Sequence, residues 1–163
     1  MEDKIANQFL EMTKSKNAPV SGQSRGLPQP PLELPIPQGL KPIDLPSPQQ
    51  IKFPSMDLRQ AIEERETRRS YSEESLTLEE LSYLLWMTQG VKAVSDRPAT
   101  KRTVPSAGSR HAFETWLLIN RVQGLEPGLY RFIAISHQLV HLPAAEDIRQ
   151  KLTDACGHQK HVF

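Results

Sequence analysis

The chain has 163 residues, 14 of them proline, and its 20 Lys and Arg against 19 Asp and Glu leave a net charge of +1. One cysteine excludes a disulfide scaffold, balanced charge lacks the footprint of a nucleic-acid binder, and no apolar run approaches the ~20 residues of a membrane span. Residues 1–16 carry charges throughout and no apolar core, so they are not a secretory signal, and a cytoplasmic protein without nucleic-acid or membrane partners is expected.

Ten of the prolines lie between Pro19 and Pro54. They divide the chain into an N-terminal Pro-rich extended arm, residues 1–55, and a folded region, residues 56–163. Ile5, Phe9, Leu10 and Met12 fall roughly on one face, which predicts a short polar helix at the start. From 18 to 55 the prolines fix φ and remove donors, so the chain is extended or polyproline-like. Leu27, Leu32, Leu34, Ile36, Leu40, Ile43, Leu45, Ile51 and Phe53 stand among them. A mere spacer does not need these side chains, so the stretch reads as an arm lying on a surface. A Pro-rich interaction module is the other reading.

After Ser55, a candidate N-cap, Leu58, Ala61 and Ile62 predict a short helix ending in Arg65, Arg68 and Arg69, whose charges suit its dipole. Thr77 and Glu80 have the spacing of a capping box. Leu81, Leu84, Leu85, Trp86 and Met87 give the next helix a wide apolar face, fit for a central or interface position. Gly90 stops it. Residues 91–104 read as a polar, basic loop. Pro105 to Ser109 is a tight turn that opens a short helix. Strands are predicted at 114–122, 129–135 and 138–142, with turns at Gly124 and Pro127-Gly128. Asp147 to Cys156 is a final helix, with Cys156 expected to act as a small buried hydrophobe. Helices on either side of three consecutive strands make an α+β pattern.

No phosphate-binding glycine motif or nucleophile elbow is present. His158 and His161 have a helical ligand spacing, but no further ligand is spaced to complete a metal site, so none is expected. Two segments have chemistry to offer. Arg68-Arg69-Ser70-Tyr71-Ser72 combines planar guanidinium forks with small donors, which suits a phosphate. It also suits a solvated basic helix end. Pro105 to His111 presents small residues whose backbone a flat ligand can approach. It also suits an ordinary loop. Arg97, Lys101, Arg102 and Arg110 make its surroundings cationic.

In order, Arg-Arg-Ser at 68–70, the helix at 76–90, and Pro-Ser-Ala-Gly-Ser-Arg-His at 105–111 leading into a strand resemble the flavin-dependent nitroreductase superfamily. Its nearest branch is the SagB/ThcOx-type thiazoline/oxazoline dehydrogenases, which the Leu-Pro arm and Gly124 to Tyr130 also fit. The resemblance implies a nitroreductase-like α+β fold, an antiparallel-rich sheet flanked by helices. It implies a homodimer holding FMN at the interface, with NAD(P)H as a hydride donor and a small-molecule or peptide substrate. Arg68 and Ser70 then meet the FMN phosphate and ribityl end, with Arg69 beside them. Pro105, Ser106, Ala107, Gly108 and Ser109 approach the ring from the partner subunit, and helix 78–89 builds the dimer core. His111 and Tyr71 are candidates to touch the cleft, and no catalytic acid or base is identified. Ser72 stands where the family usually has a basic residue at the ring edge. The family core continues past residue 163, so the expectation is the N-terminal part of a nitroreductase-like FMN-binding domain. A split, non-catalytic subunit completed by a partner chain is the other reading.

Overall fold

A computed structural model describes residues 2–96, 99–157 and 159, with the side chains of residues 2 and 3 left out. The chain divides into two units, Met1–Pro31 and Leu32–Phe163. The first holds helix α1, Glu2–Met12, followed by a single tight helical turn at Ser15–Asn17. The polar helix expected from Ile5, Phe9, Leu10 and Met12 therefore forms, with all four side chains exposed.

The second unit is built on a four-stranded antiparallel sheet. Its strands are β1 (Pro42–Asp44), β4 (Thr115–Ile119), β5 (Gly128–Ile133) and β6 (Gln138–Leu142), in the order β1-β6-β5-β4. Side chains alternate between the faces of a strand, and the register fixes which residues share a face. Thr115, Phe132, Leu139 and Ile43 lie in one cross-strand row. Trp116, Arg131, Val140 and Pro42 lie in the next row, on the opposite face.

Helix α3, Leu78–Gln89, covers the first face: Leu81 and Leu85 join Leu45, Ile119, Tyr130, Phe132 and Leu139 in the main core. The capping box expected of Thr77 and Glu80 is present in both directions. Gly90 ends the helix, though not by a left-handed turn. Its φ is −58°, and a Cβ there would stand 2.5 Å from the Trp86 carbonyl oxygen and 2.4 Å from the indole ring. The second face is covered by the Pro-rich arm, whose Ile36 and Leu40 pack against Ile133, Val140 and Leu142. Within the second unit, Ile36 and Leu40 thus lie on the sheet, while Leu34 and Phe53 stay exposed. The arm also supplies β1, a strand that its prolines hid.

Helix α2, Leu58–Glu63, is shorter than its sequence pattern. Its cap is Asp57, which accepts from Arg59 N and Gln60 N, not Ser55. The helix ends before Arg65, so Arg68 and Arg69 do not sit on its last turn. Nothing in it is buried, and without packing a short helix has little to extend it. Residues 91–95 and 99–102 are not loop. Strands β2 (Val91–Ser95) and β3 (Ala99–Arg102) form an antiparallel hairpin with a bulge near Val91. Its pattern was hidden because one register slip breaks the alternation. Helix α4, Ile148–Ala155, buries no residue, which leaves Cys156 exposed and not a core side chain. Among the described residues no helix is long and apolar enough to cross a membrane.

Candidate functional site

The 105–111 turn follows directly from β3. It forms one tight helical turn, Ala107–Ser109, and opens no α-helix. The reason is local: Gly108, Ser109 and His111 all have positive φ, at 63°, 56° and 42°. Two of the three carry a side chain, and each such residue costs about 1–2 kcal/mol. Ser106 offsets part of this. Its hydroxyl accepts from His111 N at 2.9 Å, and its carbonyl accepts from Ser109 N at 3.1 Å. The result is a loop with Pro105, Ala107 and Gly108 exposed and Ser106 and Ser109 half-buried. Only the Arg110 side chain comes within 4 Å of a Cβ built on Gly108.

Charged groups underlie this turn. Arg102, at the end of β3, donates from Nε to Thr100 Oγ1 at 3.2 Å and from Nη1 to Gln89 Oε1 at 3.3 Å. Burial pushes its pKa down, against the pull of Glu33 and Glu114. The His111 pKa is lowered by burial first and by Arg102 second, with the Thr100 carbonyl opposing. Glu114 in turn accepts from Leu34 N at 2.8 Å, tying the arm to the start of β4. The sequence marked Arg102 only as one loop cation among several. Its closeness to Glu33 depends on where the arm runs, which no local pattern reveals. Arg97, another of those cations, lies outside the described residues, as does the His158–His161 pair. Among the described residues no group of three or more His, Cys, Asp or Glu stands close enough for a metal ion.

Residues 68–72 occupy an exposed stretch without regular structure between α2 and α3. Arg68 pairs with Glu66, and Tyr71 Oη reaches the Arg68 carbonyl at 3.4 Å. Arg69, Ser70 and Ser72 are exposed. Within one chain this stretch and the 105–109 turn share no hydrogen bond or ion pair among the described residues.

A second polar cluster went unread in the sequence. Ser82, fully buried, donates to the Pro46 carbonyl at 2.6 Å and stands 2.7 Å from His137 Nε2. The serine has one proton and gives it to Pro46, so His137 Nε2–H is the donor to Ser82. That polarity is the reverse of an activated nucleophile, which gives its proton to the base. Burial holds the His137 pKa down, and its Nδ1 is buried without a partner. A cleft of about 420 Å³ beside it is lined by Asp44, Trp86, Lys92 and His137 among others. A second of about 370 Å³ lies along Pro46, Phe53 and Glu79. Neither is lined by residues 68–72 or 105–109.

No family model matches the chain. Over 100 residues it is 35% identical to a protein of Methanocaldococcus jannaschii provisionally named a nitroreductase; the match covers 61% of this chain and 46% of that protein. The chain thus spans less than half the length of this relative. On an α+β fold whose antiparallel sheet is flanked by helices, this likeness supports the nitroreductase superfamily.

Proposed function

We propose that the chain belongs to an FMN-dependent oxidoreductase of the nitroreductase type, a homodimer that holds the flavin between subunits. The observation that carries this reading is the 35% identity to a nitroreductase-named protein across 100 residues. The chemistry of the donor set fits the cofactor. Arg68, Arg69 and Ser70 offer forked and small donors for a phosphate. The Arg68–Glu66 pair is exposed, so exchanging it for a phosphate costs little. Ser72 lies next to these donors. The turn from Pro105 to Ser109 presents nothing larger than a proline ring or a hydroxyl, so a flat ring system can lie against its backbone. In one chain no hydrogen bond or ion pair joins the two segments among the described residues, and a two-subunit site is the arrangement proposed to use both.

When bound, the flavin supplies hydride acceptance and donation, which no side chain can provide. The chain's own part is to hold and orient it. Ser106 fixes the turn through His111 N. His111, its pKa lowered by burial and by Arg102, places its imidazole at the end of the turn. A reduced nicotinamide as donor, an azoline-type peptide or a small molecule as substrate, and a cytoplasmic setting complete the proposal. The test is the visible spectrum of purified protein, before and after incubation with FMN and gel filtration. Retained flavin absorbance, bleached by NADH or NADPH, is the expected result. Protein that stays colourless after incubation overturns the reading for this chain.

A further inference from the structure

The arm segment Glu33-Leu34-Pro35 is not held by burial of its apolar side chain, since Leu34 is 51% exposed. It is held by hydrogen bonds to residues 80 to 102 positions away. Leu34 N donates to Glu114 Oε1 at 2.8 Å, and Ile135 N donates to Glu33 Oε2 at 3.3 Å. Arg131 Nη2 donates to the Leu34 and Pro35 carbonyls at 3.1 and 2.8 Å. Both backbone polar groups of Leu34 are thereby used. Glu114 stands just before β4, Arg131 within β5 and Ile135 just past it, so the segment is fastened across the sheet.

Glu114 is also the third residue after His111, where the strained turn ends. Side chains held at positive φ persist only where their surroundings over-determine them. The turn has an internal brace in the two bonds to Ser106. Each flank also has an outside anchor. On the entering side, Thr103 N donates to Gly90 O at 2.9 Å and Thr103 Oγ1 to Trp86 O at 2.9 Å, which ties the chain to the end of α3. On the leaving side, the Glu114 carboxylate holds the arm. Both Glu33 and Glu114 also attract Arg102, the cation at the base of the turn. We propose that arm segment 33–35 positions the 105–111 turn, with Glu114 passing the arm's hold to it. Glu114 is thus a positioning residue, acting through the backbone of 111–114 and touching no ligand. The inference rests on the reading of the turn as a flavin site, and gives the arm a part in that site.

The experiment is amide exchange of the full chain, read at Leu34, Ser109 and His111, whose N–H groups are all hydrogen-bonded. Glu114→Ala removes one charge-assisted bond and quickens all three by about tenfold. Glu114→Gln keeps an acceptor for Leu34 N and restores the wild-type rates. Thr77→Ala removes a cap of α3 without touching the arm, and leaves Ser109 and His111 as in wild type. Rates at Ser109 and His111 that stay unchanged in Glu114→Ala, or quicken as much in Glu114→Gln or Thr77→Ala, overturn the proposal. Glu33→Ala covers the case of a misfolded Glu114 variant. It removes the arm's bond to Ile135 N, alters neither the turn nor β4, and still quickens the same amides; wild-type rates there overturn the proposal too. Titration with FMN separates the hold from the flavin reading. Glu114→Ala binds FMN about tenfold more weakly than wild type, and Glu114→Gln binds it equally well. Undiminished binding by Glu114→Ala denies the arm its part in the site. Wild type that binds no FMN overturns the flavin reading, and the exchange rates then decide the arm's hold on the turn by themselves.

Discussion

Arg131 is 3% exposed and makes no ion pair among the described residues. Its Nη2 donates instead to two arm carbonyls, Leu34 O at 3.1 Å and Pro35 O at 2.8 Å, while Nε is buried without a partner. Hydrogen bonds from a charged group contribute about 1.5–3 kcal/mol each, but burying the charge costs several. The two nearly offset for Arg131→Met, which keeps the volume. Its unfolding free energy from urea melts changes by about 1 kcal/mol or less, yet amide exchange at 34–40 quickens as the arm loosens. Arg131→Ala adds a cavity and costs about 3 kcal/mol. His137 supplies a pH dependence whose sign follows from its lowered pKa. The unfolded chain takes up the proton first, near pH 6.5. Stability is therefore full above that pH and falls as the pH drops toward the folded-state value, by at most about 1.4 kcal/mol per unit. His111, also lowered, acts in the same direction. Urea melts at pH 7.5 and 5.0 show the loss, and His137→Gln reduces it. Neither Arg131 nor His137 stood out in the sequence, because their roles come from partners 55 to 97 positions away.

At the scale of elements, what was legible is what is encoded locally. Thr77 and Glu80 sit three apart and do what that spacing dictates. Thr77→Ala removes a cap and costs about 1 kcal/mol in thermal or urea unfolding. Gly90 was legible as a stop but not for its reason, which is the Trp86 ring and carbonyl lying where a Cβ would be. Gly90→Ala accordingly destabilises by about 1–3 kcal/mol, and Trp86→Leu relieves only the part of that clash owed to the ring. Strands β4 to β6 were legible from continuous apolar runs. β1 was not, because Pro42 and Pro46 argue against a strand unless it lies at an edge. The β2–β3 hairpin escaped because its bulge breaks the alternation and only Thr100 among its strand residues is buried. For the candidate site, the residue types of 68–72 and 105–109 were visible. The positive φ at Ser109 and His111 was not, since neither residue is a usual choice there.

On the scale of the whole molecule, the arm is a structural layer. The sheet has helix α3 on one face and Ile36 and Leu40 on the other. Without residues 32–45 the second face is bare and β6 becomes an open edge, so that deletion abolishes cooperative unfolding. An unaltered melt would return the arm to the role of an interaction module. The two donor segments also belong to this scale, because no hydrogen bond or ion pair joins the turn at 105–109 to the guanidiniums at 68–69 among the described residues. Under the proposed function the chain holds FMN, with Arg68 at its phosphate. The most direct measurement is a fluorescence titration of wild-type and Arg68→Ala protein with FMN and with riboflavin, which lacks the phosphate. Wild type is expected to bind FMN more tightly than riboflavin. Arg68→Ala is expected to weaken FMN at least tenfold and leave riboflavin unchanged. Equal loss of both ligands in the variant, or no binding of FMN by wild type, would contradict the proposed function.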